Sequence, residues 1–238
     1  MIKVIKNLML TKPIKALRNI RNNYFDGNSI KSYSQEGEDM ILRRIFEEKK
    51  IGFYVDVGAH HPFRFSNTYF FYKRGWQGIN IDAMPGSMEV FKKHRSKDIN
   101  LEIPIGNGDE TLTYFSFNEP ALNGFSEKLS RDRHGKNGYF IQQEIKLKIS
   151  KLSSTLDKYL PCGVLIDFLS IDVEGLDFDI LQSNDWLKYK PKCILVEILA
   201  SSLHEIENGQ IALFLKNYGY YVFAKAVNTV FFVQEPLK

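Results

Sequence analysis

The sequence holds only two cysteines, Cys162 and Cys193, among 238 residues. They stand apart, beside apolar runs, without CxxC or Cys/His spacing, so neither a zinc site nor a disulfide framework organises the fold. Two reduced, buried thiols in a cytoplasmic protein are expected. No run reaches the roughly 18 apolar residues that a membrane span requires. Lysines interrupt the apolar residues of the opening segment, which denies it the uninterrupted centre of a secretory signal. Internal repeats, low-complexity tracts and flexible linkers are absent as well. So is the glycine pattern GxGxxG that cradles a pyrophosphate.

What remains is an average soluble composition, 44% hydrophobic and 25% charged, with a net charge of +4. The charge is uneven. Lys3, Lys6, Lys12, Lys15, Arg18, Arg21 and Lys31 face a single acid, Asp26, in the first 31 residues. The rest of the chain is slightly acidic, which argues against nucleic acid as a partner. Ile2, Ile5, Leu8 and Met9 fall on one helical face of this basic leader. Such a helix packs on its own domain or a partner chain, or lies on anionic lipid at the inner face of a membrane. The expected organisation is a basic amphipathic extension over 1–32 and one domain over 33–238, with a hairpin excursion at about 111–150.

Short apolar runs separated by amphipathic stretches predict a parallel sheet with crossover helices. Strands are expected at 53–57, 78–82, 101–105, 168–173, 193–199, 220–224 and 229–233. Helices are expected at 35–48, with Ser34 as its cap, and at 86–94, 178–187 and 211–218. Alternation at 111–117 and 139–150 predicts two further strands of an antiparallel excursion, and the polar stretch between them is a candidate acceptor lid.

In open parallel sheets, ligands gather at the carboxyl ends of strands. The strand Val55-Asp56-Val57 runs into Gly58, where a missing Cβ permits close approach, and a second strand ends about twenty-five residues on at Asp82. A carboxylate there accepts hydrogen bonds from the hydroxyls of an adenosine ribose. Gly58 is followed by Ala59-His60-His61-Pro62 rather than further glycines, which favours S-adenosylmethionine, a cofactor without phosphates, over a nicotinamide dinucleotide.

The chain resembles the FkbM family of S-adenosylmethionine-dependent methyltransferases. The resemblance runs through Ser34-Gln35-x-Gly37-Glu38-Asp39, Val55-Asp56-Val57-Gly58-Ala59, Ile81-Asp82, Gly106-Asn107-Gly108, Ser153-Ser154-Thr155-Leu156-Asp157 and Ser170-Ile171-Asp172-Val173-Glu174-Gly175. It implies a class I methyltransferase (Rossmann-like) α/β fold: a mostly parallel seven-stranded sheet with one antiparallel strand and helices on both faces. It also implies O-methyl transfer. Asp56, Gly58, Ala59 and His60 would then lie beside the methionine portion of the cofactor, Asp82 and Ala83 at its ribose, and Asn107 and Gly108 near its adenine, with Asp172 close by. Where relatives often carry a Glu-Pro ending, this chain reads Asp82-Ala83-Met84-Pro85.

Transfer to a hydroxyl needs a proton acceptor. Asp172 and Glu174, at the end of an apolar strand, are the first candidates, followed by Glu197 inside Leu195-Val196-Glu197-Ile198 and by His60. Glu174 also reads as a cap for the next helix, with Asp172 tying down the turn. His61, Arg64, Asn67 and His204 are candidate substrate contacts. No third ligand accompanies Asp172 and Glu174 at a metal-binding spacing, so no metal is expected. The acceptor expected from the resemblance is a sugar hydroxyl, on a surface-glycan precursor or a glycosylated metabolite. A nicotinamide oxidoreductase and a noncatalytic partner in glycan assembly remain as alternatives.

Overall fold

The computed structural model describes residues 14–25, 27–199 and 202–234. The leader's expected stripe at Ile2, Ile5, Leu8 and Met9 lies outside them. The chain divides at Ser32/Tyr33 into two units. In the first, residues 14–24 form helix α1.

The second unit is built on a seven-stranded sheet. Its strands are β1 (Phe53–Val57), β2 (Gln77–Asp82), β3 (Ile99–Glu102), β6 (Phe168–Ile171), β7 (Cys193–Glu197), β8 (Tyr220–Ala226) and β9 (Thr229–Gln234), in the order β3-β2-β1-β6-β7-β9-β8. Every pairing from β3 to β7 is parallel, whereas β9 runs antiparallel to both neighbours. This is the mostly parallel, Rossmann-like methyltransferase sheet that the resemblance implies.

The central strands are Val-, Ile- and Leu-rich because both faces are covered, so no polar side is required. Every residue of β1 and β6 is buried. One face packs Val55, Val57, Ile79, Ile81, Leu169, Ile171 and Ile194 into the larger core, while Tyr54, Phe168, Leu195 and Phe231 meet Leu42, Phe71 and Trp76 on the other. The covering helices include α2 (Glu38–Ile45), α3 (Tyr69–Lys73), α4 (Met88–His94), α6 (Leu152–Tyr159), α7 (Asp177–Ser183), α8 (Leu203–Glu207) and α9 (Gln210–Lys216). After β1 the chain winds outward to β2 and β3, then returns to β6 on the other side of β1, leaving a crevice at the β1/β6 carboxyl ends.

The excursion is a separate antiparallel pair, β4 (Thr111–Phe117) and β5 (Ile141–Lys148). The polar stretch between them carries a 3-10 turn at Pro120–Leu122 and helix α5 (Glu127–Arg133), capped by the Ser126 side chain on the Leu129 amide.

Three expectations shift. The strand expected at 101–105 is β3 at Ile99–Glu102; Pro104, with no N–H to give, leaves Ile103 and Ile105 outside the ladder. Ser34 is not the N-cap of α2, a place taken by Gly37, but its hydroxyl still accepts from the Asp39 amide at 3.1 Å. Cys193 is buried on β7, whereas Cys162, in the turn Pro161-Cys162-Gly163, is exposed.

Beneath the crevice lies a buried polar network. The Arg95 guanidinium, fully inside, donates to Asp98, to the Tyr54 hydroxyl, to Thr68 Oγ1 and to the Pro62 carbonyl. Thr68 in turn donates to Asp56 at 3.1 Å. A buried guanidinium persists only when its donors are met, so this network ties the end of α4 to β1 and to the loop before α3.

Candidate active site

A cavity of about 360 Å³ opens at the carboxyl ends of β1, β2, β6 and β7, within the usual size range of small-molecule sites. Gly58, His60, Asp82, Ala83, Asp172, Glu174 and Glu197 line it, as do Arg64 and Asn67. The sequence therefore locates much of the wall.

Gly58 has φ +86°, and a Cβ built there would stand 1.7 Å from the Asp172 carbonyl oxygen. Its missing side chain thus serves first to let the ends of β1 and β6 come together, rather than to admit a ligand. The adjoining turn bends at Asp82: its Oδ2 accepts from the His60 amide at 2.9 Å and its Oδ1 from the Met84 amide at 2.8 Å. Burial raises the Asp82 pKa, opposed by those same amides.

Three carboxylates face each other across the crevice. Oxygens of Asp172, Glu174 and Glu197 all lie within 4.8 Å of one another. Asp172 is open to the cavity by surface area, yet desolvation by the surrounding protein, then Glu197, Asp177 and Glu174, holds its carboxyl well above the ordinary carboxylate range. Burial pushes Glu197 up to about 8, reinforced by Glu174 and Asp177 and opposed by Arg133. Arg133 reaches in from α5 to pair with Glu174 at 2.8 Å. Among the described residues, no protein hydrogen bond reaches the carboxylates of Asp172 or Glu197. The cluster has oxygen donors suited to a hard divalent cation, and Glu197 is the third carboxylate that spacing did not reveal. Arg133 already neutralises one of the three.

The turn after β6 is not tied down by Asp172 or capped by Glu174. Asp177 does that work, accepting from the Val173 and Gly175 amides, and its carboxyl is pushed up to about 6 by burial against those bonds. Glu174 itself has φ +55°. His60 and Phe65, also in the cavity wall, share this left-handed conformation, which costs roughly 1–3 kcal/mol per residue and clusters at functional sites. His60 stacks on Phe65, its Nε2 is buried without a partner, and burial, followed by Arg64 and His61, holds its pKa below the ordinary histidine value.

Several predicted residues stand elsewhere. Asp56 lies under the floor because the β1 pleat turns it away from the Val55 and Val57 face, toward Thr68 and Arg95; burial raises it to about 6, against the attraction of Arg95. Ala59 packs with Met88 and Phe91. His61 Nδ1 accepts from the Phe63 and Arg64 amides and so shapes the loop. Asn107 and Gly108 fall beyond the cavity because β3 ends early; Ile103 and Ile105 reach it in their place. His204 sits exposed on α8, outside the cavity.

Much of the remaining wall comes from a distance, in part from the polar stretch that the sequence offers as a candidate acceptor lid. The excursion contributes Tyr114 and the span from Glu119 to Phe125. It is seated tightly: a Cβ on Gly124 would meet Glu174 Cβ at 2.8 Å, and one on Gly175 would meet Ser126 Cβ at 2.6 Å. Glu119 holds Arg64 at 3.1 Å. From the other side, Glu36 accepts from the Asn228 amide and Glu38 from the Thr229 hydroxyl, fixing the β8–β9 turn against the cavity. The Ser34-to-Asp39 motif was the available signal for these two acids.

A Rossmann-like sheet with a cavity at its topological switch point, floored by a buried acid and edged by carboxylates, defines the methyltransferase class. The family model of the methyltransferase FkbM domain matches residues 56–222, more than half of the chain, and the chain belongs to that family. No curated protein matches it, and no solved structure does.

Proposed function

We propose that the chain is an S-adenosylmethionine-dependent O-methyltransferase whose acceptor is a hydroxyl of a sugar, on a surface-polysaccharide precursor or a glycosylated metabolite. The observation that carries this reading is the Asp172–Glu197 pair, two carboxylates without protein partners in the same cavity as Asp82.

The cavity's charge supports the cofactor. Glu36, Glu38, Asp82, Glu119, Asp172, Glu174 and Glu197 line it, against Arg64 as the one lysine or arginine among the described lining residues, and Arg64 is paired with Glu119. A dinucleotide would bring a pyrophosphate into this acidic wall with no glycine cradle and no unpaired cation to receive it. S-adenosylmethionine brings a sulfonium and an ammonium against one carboxylate, so its net charge suits the wall. Asp82 retains lone pairs beyond those used by the His60 and Met84 amides and would accept from the ribose hydroxyls. Ile103 and Ile105 offer an apolar surface to the adenine. When bound, the cofactor supplies an electrophilic methyl group on sulfur.

The chain's own part is to align the acceptor and take its proton. Glu174 is occupied by Arg133, so Asp172 and Glu197 are the acceptors. A carboxylate raised toward neutrality is a stronger base than an ordinary one and still ionises at working pH. Phe65, Phe125 and Tyr139 line the same cavity and give a sugar ring apolar faces to pack on.

Titration calorimetry tests the cofactor assignment. S-adenosylhomocysteine should bind and NAD should not, and Asp82→Asn should weaken binding roughly tenfold or more, the loss of hydrogen bonds to a charged acceptor. Preference for NAD would refute the reading. Binding without transfer to any glycan hydroxyl would instead point to a noncatalytic role.

A further inference from the structure

Helix α1 lies in the first unit, and its side chains are sorted. Ile14, Leu17, Ile20 and Tyr24 recur at i, i+3, i+6 and i+10, which at 3.6 residues per turn places them in one arc about 120° wide. All four are exposed, Leu17 at 67% and Tyr24 at 79%, and Phe25 follows at 74%. Large apolar side chains in a contiguous exposed stripe mark a binding surface rather than ordinary scatter.

The charges say which surface. Arg18 lies beside the stripe next to Ile14, Arg21 falls within it between Ile14 and Leu17, Lys15 sits on the opposite face, and the sequence from Met1 to Phe25 contains no acid. Among the described residues, none of these three cations enters an ion pair. Arg and Lys stems lie along apolar surface while their heads reach outward, so cations beside and within a stripe are compatible with insertion. Asn19, Asn22 and Asn23 occupy the opposite side together with Lys15, giving a polar back.

We propose that α1 is an interfacial anchor, lying flat on an anionic lipid surface with Leu17, Ile20 and Tyr24 among the acyl chains and Arg18 and Arg21 at the headgroup phosphates. An apolar stripe in a segment whose charged residues from Met1 to Phe25 are all cations is complementary to such a surface in both polarity and charge. Tyr24 and Phe25 stand at the helix end, where aromatic rings settle at the lipid–water boundary.

The test is cosedimentation of the full-length chain with vesicles of phosphatidylcholine alone or mixed with phosphatidylglycerol, at low and high salt. Binding is expected only to the mixed vesicles, and it should fall as salt screens the headgroups. Arg18→Glu with Arg21→Glu should weaken it by roughly tenfold or more, at about 1 kcal/mol for each cation lost. Leu17→Asp with Ile20→Asp should weaken it even at low salt, and circular dichroism would show that both variants keep the fold. Equal binding by both variants, or none by the unaltered chain, would overturn the proposal. So would an apolar variant that turns a dimer into a monomer in sedimentation, which would assign the stripe to a second copy.

Discussion

Replacing Glu197 with glutamine should lower kcat by roughly 10²–10⁴, the usual contribution of a positioned base, while S-adenosylhomocysteine affinity stays within about threefold. Glutamine keeps the shape of the side chain at the end of β7 and removes only its capacity to take a proton. The pH profile sharpens the expectation. The acceptor form is the ionised carboxylate, and burial pushes Glu197 up to about 8. Activity in the native chain should therefore climb with pH and level off above about 8, because the base is lost to protonation as pH falls. Asp172 is raised by desolvation and by Glu197 itself, so the upper limb belongs to the pair rather than to either acid. Glu197→Gln should displace that limb to lower pH, because Asp172 then titrates without its neighbour's charge. Retention of more than about a third of the activity, or a flat profile in the native enzyme, would remove Glu197 from the chemistry.

The second large effect is on stability. Gly58→Ala should cost roughly 3 kcal/mol or more, since the new methyl would stand 1.7 Å from the Asp172 carbonyl, and backbone at the centre of a sheet does not yield easily. At about 2–4 °C per kcal/mol for a domain of this size, thermal unfolding should fall by about 6–12 °C. Gly75→Ala is the matched control. Its φ of +91° carries the same left-handed strain, but nothing lies within 4 Å of its Cβ position, so only about 1–2 kcal/mol is expected. Equal losses at the two sites would mean that φ alone, and not the closing of β1 on β6, explains the glycine.

Much of the frame was legible because parallel strands buried on both faces write themselves as apolar runs, as β1, β6 and β7 do, whereas β2 carries Ile79 and Ile81 among Gln77, Asn80 and Asp82. Acids at the ends of such runs were legible for the same reason: Asp82, Asp172 and Glu197 have no business in apolar surroundings unless they bound a site. Asp56 misled because strand alternation says that it opposes Val55 and Val57 without saying which face meets the ligand. The residue that decides it, Arg95, reads as an ordinary cation at a helix end, yet it is wholly buried. Asn107 and Gly108, set near the adenine by the family resemblance, stand outside the cavity, where Ile103 and Ile105 line it. The roof was legible only as a candidate lid in the polar stretch after β4, not as particular contacts. Tyr114, Glu119 and Asn123 come to the cavity through packing of Gly124 and Ser126 on the Glu174–Gly175 turn, contacts separated by some fifty residues with no local pattern.

The most direct measurement is a crystal structure of the chain with S-adenosylhomocysteine. The expected density places the ribose hydroxyls on Asp82, the adenine against Ile103 and Ile105, and the sulfur on the side of the cavity where Asp172 and Glu197 stand. A cofactor bound away from Gly58 and Asp82, or turned so that its sulfur points away from both carboxylates, would contradict this assignment.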